Sequence, residues 1–215
     1  YMKQIFFVIL FICNLSVFAQ QYWLPVNSPV TKSINKAHFI DTVFGWAAGD
    51  SGTIVHTSNS GVNWVQQSSG ITNFPIEDIY FINQRLGWAV SNDYFFAGTT
   101  ILKTSNGGLN WSGSRYPDTT LVFSTVYFID SLNGFLSGFT GEIYKTTNAG
   151  FNWFNTHIDT AYCQYLYLMP KNRFYFVNAS TGFVCGGQID IQGMIWKTTD
   201  GGLNWFTHCV ASEPL

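Results

Sequence analysis

The chain reads as an all-β protein assembled from four copies of one blade-like unit, and three observations carry that reading. The word Phe-[Ile/Val]-[Asp/Asn] recurs at Phe39, Phe81, Phe128 and Phe176, at separations of 42, 47 and 48 residues. Six residues after each Phe stands Gly with an aromatic behind it: Gly45-Trp46, Gly87-Trp88, Gly134-Phe135 and Gly182-Phe183. Each unit then carries Ile-x-[Lys/His]-Thr, starting at Ile54, Ile101, Ile143 and Ile195, and a Trp ten residues after that Ile. A period of this length holding several short β-rich runs is the signature of β-propeller blades.

Within a unit the pattern predicts a four-stranded antiparallel meander, strands A to D. Strand A ends on the Phe word, as in Val126-Tyr127-Phe128-Ile129-Asp130, where apolar alternation and β-branched residues mark a strand buried on one or both faces. Asp130-Ser131-Leu132-Asn133 is turn chemistry, and strand B opens on Gly-aromatic. Gly there is expected to permit close approach of a neighbouring backbone, while the aromatic fills space between blades. Strand C carries Ile-x-Lys-Thr, and strand D starts at Asn-Trp. The predicted blades run over about 24–67, 68–114, 115–157 and 158–209.

The most specific motif lies between strands C and D and reads [Ser/Thr]-x-[Asp/Asn]-x-Gly-x-x-Trp. Its polar residues are Asn59, Asn106, Asn148 and Asp200; its glycines Gly61, Gly108, Gly150 and Gly202; its tryptophans Trp64, Trp111, Trp153 and Trp205. The Asp or Asn is expected to accept backbone N–H groups of its own turn, Gly to take a positive φ, and Trp to bury a large apolar area. All four Trp are expected to be largely buried at equivalent positions. This motif resembles the Asp-box, or bacterial neuraminidase repeat. The whole unit, above all Gly45 to Ile54 followed by its box, is similar to the photosystem II stability/assembly factor family of propellers. That resemblance covers about Trp23 to Trp205 and implies a ring of seven blades, of which this chain carries four. It specifies fold far better than function, because related repeats occur in sialidases and xyloglucan hydrolases. Three of the four boxes hold Asn in place of Asp, which argues against cation binding by the box.

Composition narrows the function classes. Charged residues are 10%, aromatics 18%, and the net charge is −2 with no Lys/Arg cluster, so nucleic acid and anionic membranes have no electrostatic footprint here. Lys3, the apolar run Ile5 to Val17 and Val17-Phe18-Ala19 read as a signal peptide over residues 1–19. Export to the envelope or the exterior follows, with no stable membrane insertion after cleavage. Cys163, Cys185 and Cys209 remain, at spacings that favour neither a metal site nor a framework of bridges. Cys185 and Cys209 fall on strands B and D, too far apart for a disulfide. No cofactor or metal is expected. Trp23, 16 residues before Phe39, reads as a lone leading strand D.

Loop lengths separate two rims. Phe to Gly is always six and Ile to Trp always ten, whereas Gly to Ile across B–C runs nine, fourteen, nine and thirteen. The D–A connections vary as well, so all length variation falls on one rim, where a binding surface belongs. That rim is expected to carry Tyr94, Phe95, Phe96, Arg115 and Tyr116, with Tyr165 and Tyr167 from the long connection before blade four. Aromatics with an Arg suit a protein or a carbohydrate partner. Tyr165 and Tyr167, alternating with Leu166 and Leu168, fit a buried strand extension equally well. A sialidase- or xyloglucanase-like hydrolase is the alternative. Only Arg85, Arg115 and Arg173 are present, and the B–C carboxylates Asp50, Asp93, Glu142 and Asp190 are explicable as hairpin chemistry. The sequence therefore favours a secreted, non-enzymatic binding propeller.

Overall fold

The structure is a computed structural model and describes residues 26–93, 98–159, 170–188 and 192–209. The leader, Trp23, Tyr94, Phe95, Phe96, Cys163, Tyr165, Tyr167 and Asp190 lie outside the described residues. Blade one is β1 (Ile34–Phe39), β2 (Gly45–Gly49), β3 (Thr53–Thr57) and β4 (Val65–Ser68), paired in that order. Blade two is β5 (Ile76–Phe81), β6 (Gly87–Asn92), β7 (Thr99–Thr104) and β8 (Ser112–Arg115). Blade three is β9 (Phe123–Phe128), β10 (Gly134–Gly138), β11 (Ile143–Thr146) and β12 (Phe154–Asn155). Blade four is β14 (Lys171–Phe176), β15 (Gly182–Gln188), β16 (Gln192–Thr198) and β17 (Asn204–Cys209).

One element departs from the predicted meander. A fifth strand, β13 (His157–Asp159), leaves blade three and pairs in parallel with β17, placing Ile158 opposite Trp205. Strand β16 separates Cys185 on β15 from Cys209 on β17, and Cys185 is a free, exposed thiol.

The constant spacing of six has a steric cause. In each blade the Phe that ends strand A pairs with the Gly that opens strand B, as Phe39 with Gly45 and Phe128 with Gly134. A Cβ on Gly45, Gly87, Gly134 or Gly182 would stand about 2.5–2.6 Å from that Phe ring. The crowding partner is thus a ring of the same blade, not a neighbouring backbone. Only glycine lets the ring lie flat across the strand.

Blades join through a three-ring relay. The aromatic after Gly stacks on the Phe of the next blade: Trp46 on Phe81 at 3.7 Å, Trp88 on Phe128 at 3.5 Å, Phe135 on Phe176 at 5.0 Å. Each Phe then meets its own box Trp edge-on, at 5.8 to 6.0 Å across the four blades. Both geometries suit the ring quadrupole. The inner strands are tied separately. The His38 ring bonds the Phe81 carbonyl at 2.8 Å, Thr125 Oγ1 donates to the Asn172 carbonyl at 3.1 Å, and Tyr127 Oη accepts from Phe176 N–H at 3.3 Å.

The box tryptophans are not equally buried. Trp205 and Trp111 are buried, at 0% and 8% exposure, whereas Trp64 and Trp153 are half-buried. Each difference follows from what the preceding blade lays over the ring. Ile158 of β13 covers Trp205. Gln67 of β4 reaches Gly108 beside Trp111, but its counterpart on β8 is the small Ser114. A cavity of about 320 Å³ opens there, lined by Ser112, Gly113, Ser114 and the box residues Ala149 to Phe151. Trp64 leans on Phe39, itself 43% exposed because no described blade packs against it.

Candidate partner-binding surface

Two rims cap the blades, and hydrogen bonds identify them. Box turns sit beside A–B turns: Ser60 N–H donates to the Val43 carbonyl, Gly107 to Arg85, Ala149 to Leu132 and Gly201 to Ser180. At the opposite end B–C and D–A connections meet, with Asn92 N–H bonding Pro75, Tyr116 bonding Thr99, and Phe139 bonding Val122. The loops of variable length therefore share one rim, and Arg85 lies on the other.

The box is a closed hydrogen-bond circuit. Thr146 Oγ1 accepts from Asn148 and Gly150 N–H and donates to Asn148 Oδ1, which accepts Asn152 N–H at 2.9 Å. Thr57, Thr104 and Thr198 repeat it in their blades. Gly61, Gly108, Gly150 and Gly202 have φ between 80° and 89°. The residue before each is left-handed too, including Ser60 and Ala149 at 61°, a feature the motif alone does not reveal. Burial alone would raise the Asp200 carboxyl, but hydrogen bonds from Asn204, Thr198 and Leu203 hold it down at about 2. Donors from the preceding blade cap the box carbonyls. Trp46 Nε1 and Gln67 Nε2 bond Gly107 at 3.0 and 3.1 Å, Lys103 Nζ bonds Ala149 at 3.1 Å, and Lys145 Nζ bonds Gly201 at 2.7 Å.

On the variable rim the structure brings Arg115 and Tyr116 together at the end of β8. The Arg115 guanidinium pairs with Asp93 at 3.3 Å, its side chain 50% exposed. Tyr116, the next residue, is half-buried edge-on to Phe123 at 5.0 Å and Tyr144 at 5.7 Å. Burial, with Tyr144 and Asp118 nearby, pushes its hydroxyl up to about 12. Ile71, Phe74 and Phe139 are exposed on the same rim, at 40, 38 and 53%. Sequence reasoning missed these three, although each sits in a connection of variable length. Lys171, at the start of β14, is buried and donates to the Gly141 carbonyl, holding the B–C loop of blade three from below. Its ammonium lies 4.1 Å from the Trp196 ring centre. Burial pulls the Lys171 ammonium down to about 7 against the opposing pull of Glu142.

Among the described B–C carboxylates, Asp50 accepts from Asn35 at 3.4 Å and Asp93 pairs with Arg115, while Glu142 acts on Lys171 through its charge and keeps a buried Oε2 without a hydrogen-bond partner. Between the rims, buried Asp78 ties three inner strands. It accepts Ile79 N–H at 2.9 Å and Val126 N–H at 3.1 Å, and pairs with Lys36 at 3.4 Å. Burial nevertheless raises its carboxyl to about 6. Among the described residues no group of three or more His, Cys, Asp and Glu gathers to hold a metal.

Box circuits, stacked ring relays and a variable rim define a propeller of the neuraminidase-repeat type. The sequence matches the family described as Photosynthesis system II assembly factor YCF48 over residues 15–164, and the chain belongs to that family. Among solved structures, YCF48 bound to D1 peptide is 19% identical with a TM-score of 0.63, covering 86% of this chain and 56% of that one. YCF48 from Cyanidioschyzon merolae is 17% identical with a TM-score of 0.66, covering 87% and 60%. The chain thus spans less than two thirds of the length of either. The GH74 xyloglucanase from Xanthomonas campestris, 13% identical with a TM-score of 0.60, covers 85% of this chain and 31% of its own. These likenesses carry the fold. No curated protein matches the chain.

Proposed function

We propose that the chain is an exported, non-enzymatic propeller that holds a segment of a protein partner on its variable rim. The observation that carries this reading is the grouping on that rim of an exposed guanidinium with exposed Phe74, Phe139 and Ile71. An Arg set among apolar anchors is the usual make-up of a protein-binding hot spot. Membership of an assembly-factor family, in which a relative is seen with D1 peptide, supports a polypeptide ahead of a glycan. Engagement of Asp50 by Asn35 and of Asp93 by Arg115 disfavours the glycosidase reading, which needs two available carboxylates across a substrate. Export rests on the leader at residues 1–19.

The test is a pair of alanine variants against a partner identified by pull-down. Arg115→Ala and Phe96→Ala should weaken that partner at least about tenfold, the level of a modest hot spot, without moving the thermal midpoint. Unchanged binding by both variants would remove the rim from consideration. Hydrolysis of xyloglucan or sialosides by purified protein would replace the binding reading with an enzymatic one.

A further inference from the structure

The junction between blades two and three lacks a part that the other two described junctions possess. At each junction strand D of one blade faces the box of the next. Between blades one and two Gln67 of β4 fills the gap, its Nε2 donating to the Gly107 carbonyl at 3.1 Å. Between blades three and four the chain itself fills it. Thr156 N–H still bonds Ile143 of blade three, but His157 N–H bonds the Leu203 carbonyl at 3.0 Å, and β13 then runs parallel to β17 with Ile158 opposite Trp205. Neither happens between blades two and three. Strand β8 stays paired with β7 as far as Arg115, its residues are exposed, and Ser114 stands in the place of Gln67. What remains is the hollow of about 320 Å³ beside Ala149, Gly150 and Phe151. Trp153, whose ring lies against Gly150, is left half-buried.

The filled junction specifies what the open one accepts. In blade four the fifth strand engages Leu203, Asn204, Trp205 and Phe206, whose counterparts in blade three are Phe151, Asn152, Trp153 and Phe154. Asn152 N–H is taken by Asn148 just as Asn204 N–H is taken by Asp200, so the box circuit is compatible with an added strand. The Phe151 carbonyl, in the place of the Leu203 carbonyl that β13 uses, accepts no hydrogen bond among the described residues. Phe154 is 43% exposed. Lys103 closes the inner side: its Nζ caps the Ala149 carbonyl at 3.1 Å and lies 5.0 Å from the Phe151 ring centre, so that ring is a wall of the hollow. An unpaired strand edge beside a hollow that can take a side chain is how a sheet accepts an extended peptide. We propose that the outer edge of blade three, at residues 151–154, binds an extended segment of a partner polypeptide as a parallel fifth strand. An aliphatic residue of that segment sits between β8 and the box, as Ile158 sits over Trp205. The chemistry of the occupant is the one the molecule itself uses in β13, an aliphatic β-branched residue between polar ones. This site lies apart from the variable rim and does not depend on the function proposed for it.

The experiment titrates the purified chain into a fluorescently labelled peptide with the sequence of residues 155–160 and follows its anisotropy. Binding should saturate, and the same peptide carrying Ile158→Ser should bind at least about tenfold more weakly, the effect of losing one buried aliphatic side chain. In the protein, Ser114→Gln fills the hollow as Gln67 does one junction earlier and should weaken the peptide by a similar factor without lowering the thermal midpoint. Arg115→Ala should leave peptide binding unchanged. Should Ser114→Gln fold poorly, hydrogen exchange of the wild type gives a second readout: the peptide should slow exchange over residues 150–155 and not over residues 203–206. Absence of saturable binding overturns the proposal, as does a peptide that binds Ser114→Gln as tightly as wild type or that protects residues 203–206 instead. Loss of binding in Arg115→Ala would place the peptide on the variable rim and overturn it too. So would a wild-type dimer that Ser114→Gln makes monomeric, since a second copy would then be the occupant.

Discussion

The two rims are turned out by the same strands under opposite constraints. On the box rim, a Phe ring lying across Gly and a Thr–Asn circuit that takes up three backbone N–H groups, as at Asn148, Gly150 and Asn152, leave no room for an inserted residue. Spacings of six and ten therefore repeat without exception. On the variable rim a loop is closed by one or two backbone bonds, such as Asn92 to Pro75, so B–C spans range from nine to fourteen. Constant length marks where side chains and backbone are mutually locked, and varying length marks where a partner can be fitted without disturbing the blade.

The locked rim should fail hardest, and unequally. Trp205→Ala removes a fully buried indole covered by Ile158 and is expected to cost about 3–5 kcal/mol. Trp64→Ala, at a half-buried site with no described blade over it, should cost about half as much or less, because solvent already reaches the ring. Urea denaturation of both variants measures the pair. Equal losses would mean that the box itself, not the covering blade, sets the energy of its Trp.

Next in size comes a group that belongs to neither rim. The Asp78 carboxyl sits at about 6 in the folded chain, against 3.8 for the unfolded reference. A raised pKa contributes stability that is present in full below the unfolded value and is lost as pH climbs through the folded one. Stability of the wild type relative to Asp78→Asn should therefore fall between about pH 4 and pH 6.5, by about 3 kcal/mol. The sign would reverse if pairing with Lys36 outweighed burial, so the slope of that difference decides which dominates. Because Asp78 ties β1, β5 and β9, the slope also sets the background against which either rim must be compared.

What could be read from the sequence follows the same division. Phe128, Gly134, Asn148 and Trp153 each satisfy their needs within their own repeat, so their roles recur at fixed distances and are visible as text. The identity of the residue covering a box Trp does not recur. Gln67 does it for Trp111, Ser114 fails to for Trp153, and Ile158 of an extra parallel strand does it for Trp205. Those contacts join residues that the period does not align, which is why four equal tryptophans were expected and two unequal pairs are found. The burial of Asp78 is hidden for the same reason, since its partners Lys36 and Val126 come from the blades on either side. On the variable rim, Arg115 and Tyr116 could be placed from loop lengths alone, but the pairing of Arg115 with Asp93 and the packing of Tyr116 on Phe123 and Tyr144 could not.

The smallest effect on stability is the one expected to matter most for binding. Arg115 is half exposed, although its partner Asp93 is only 13% exposed, so Arg115→Ala should change unfolding free energy by about 1 kcal/mol. The pair keeps the guanidinium beside the B–C loop rather than stabilising the sheet, and the backbone bond from Tyr116 to Thr99 remains without it. Binding responds differently, because a partner carboxylate or carbonyl can compete for a guanidinium that water already reaches. Affinity for the partner should then weaken as salt rises in the wild type and lose most of that salt dependence in Arg115→Ala. Arg85→Ala, on the opposite rim, is the matched control: it removes the same charge and should leave partner affinity and its salt dependence unchanged. A partner that responds to Arg85 and ignores Arg115 would exchange the roles of the two rims.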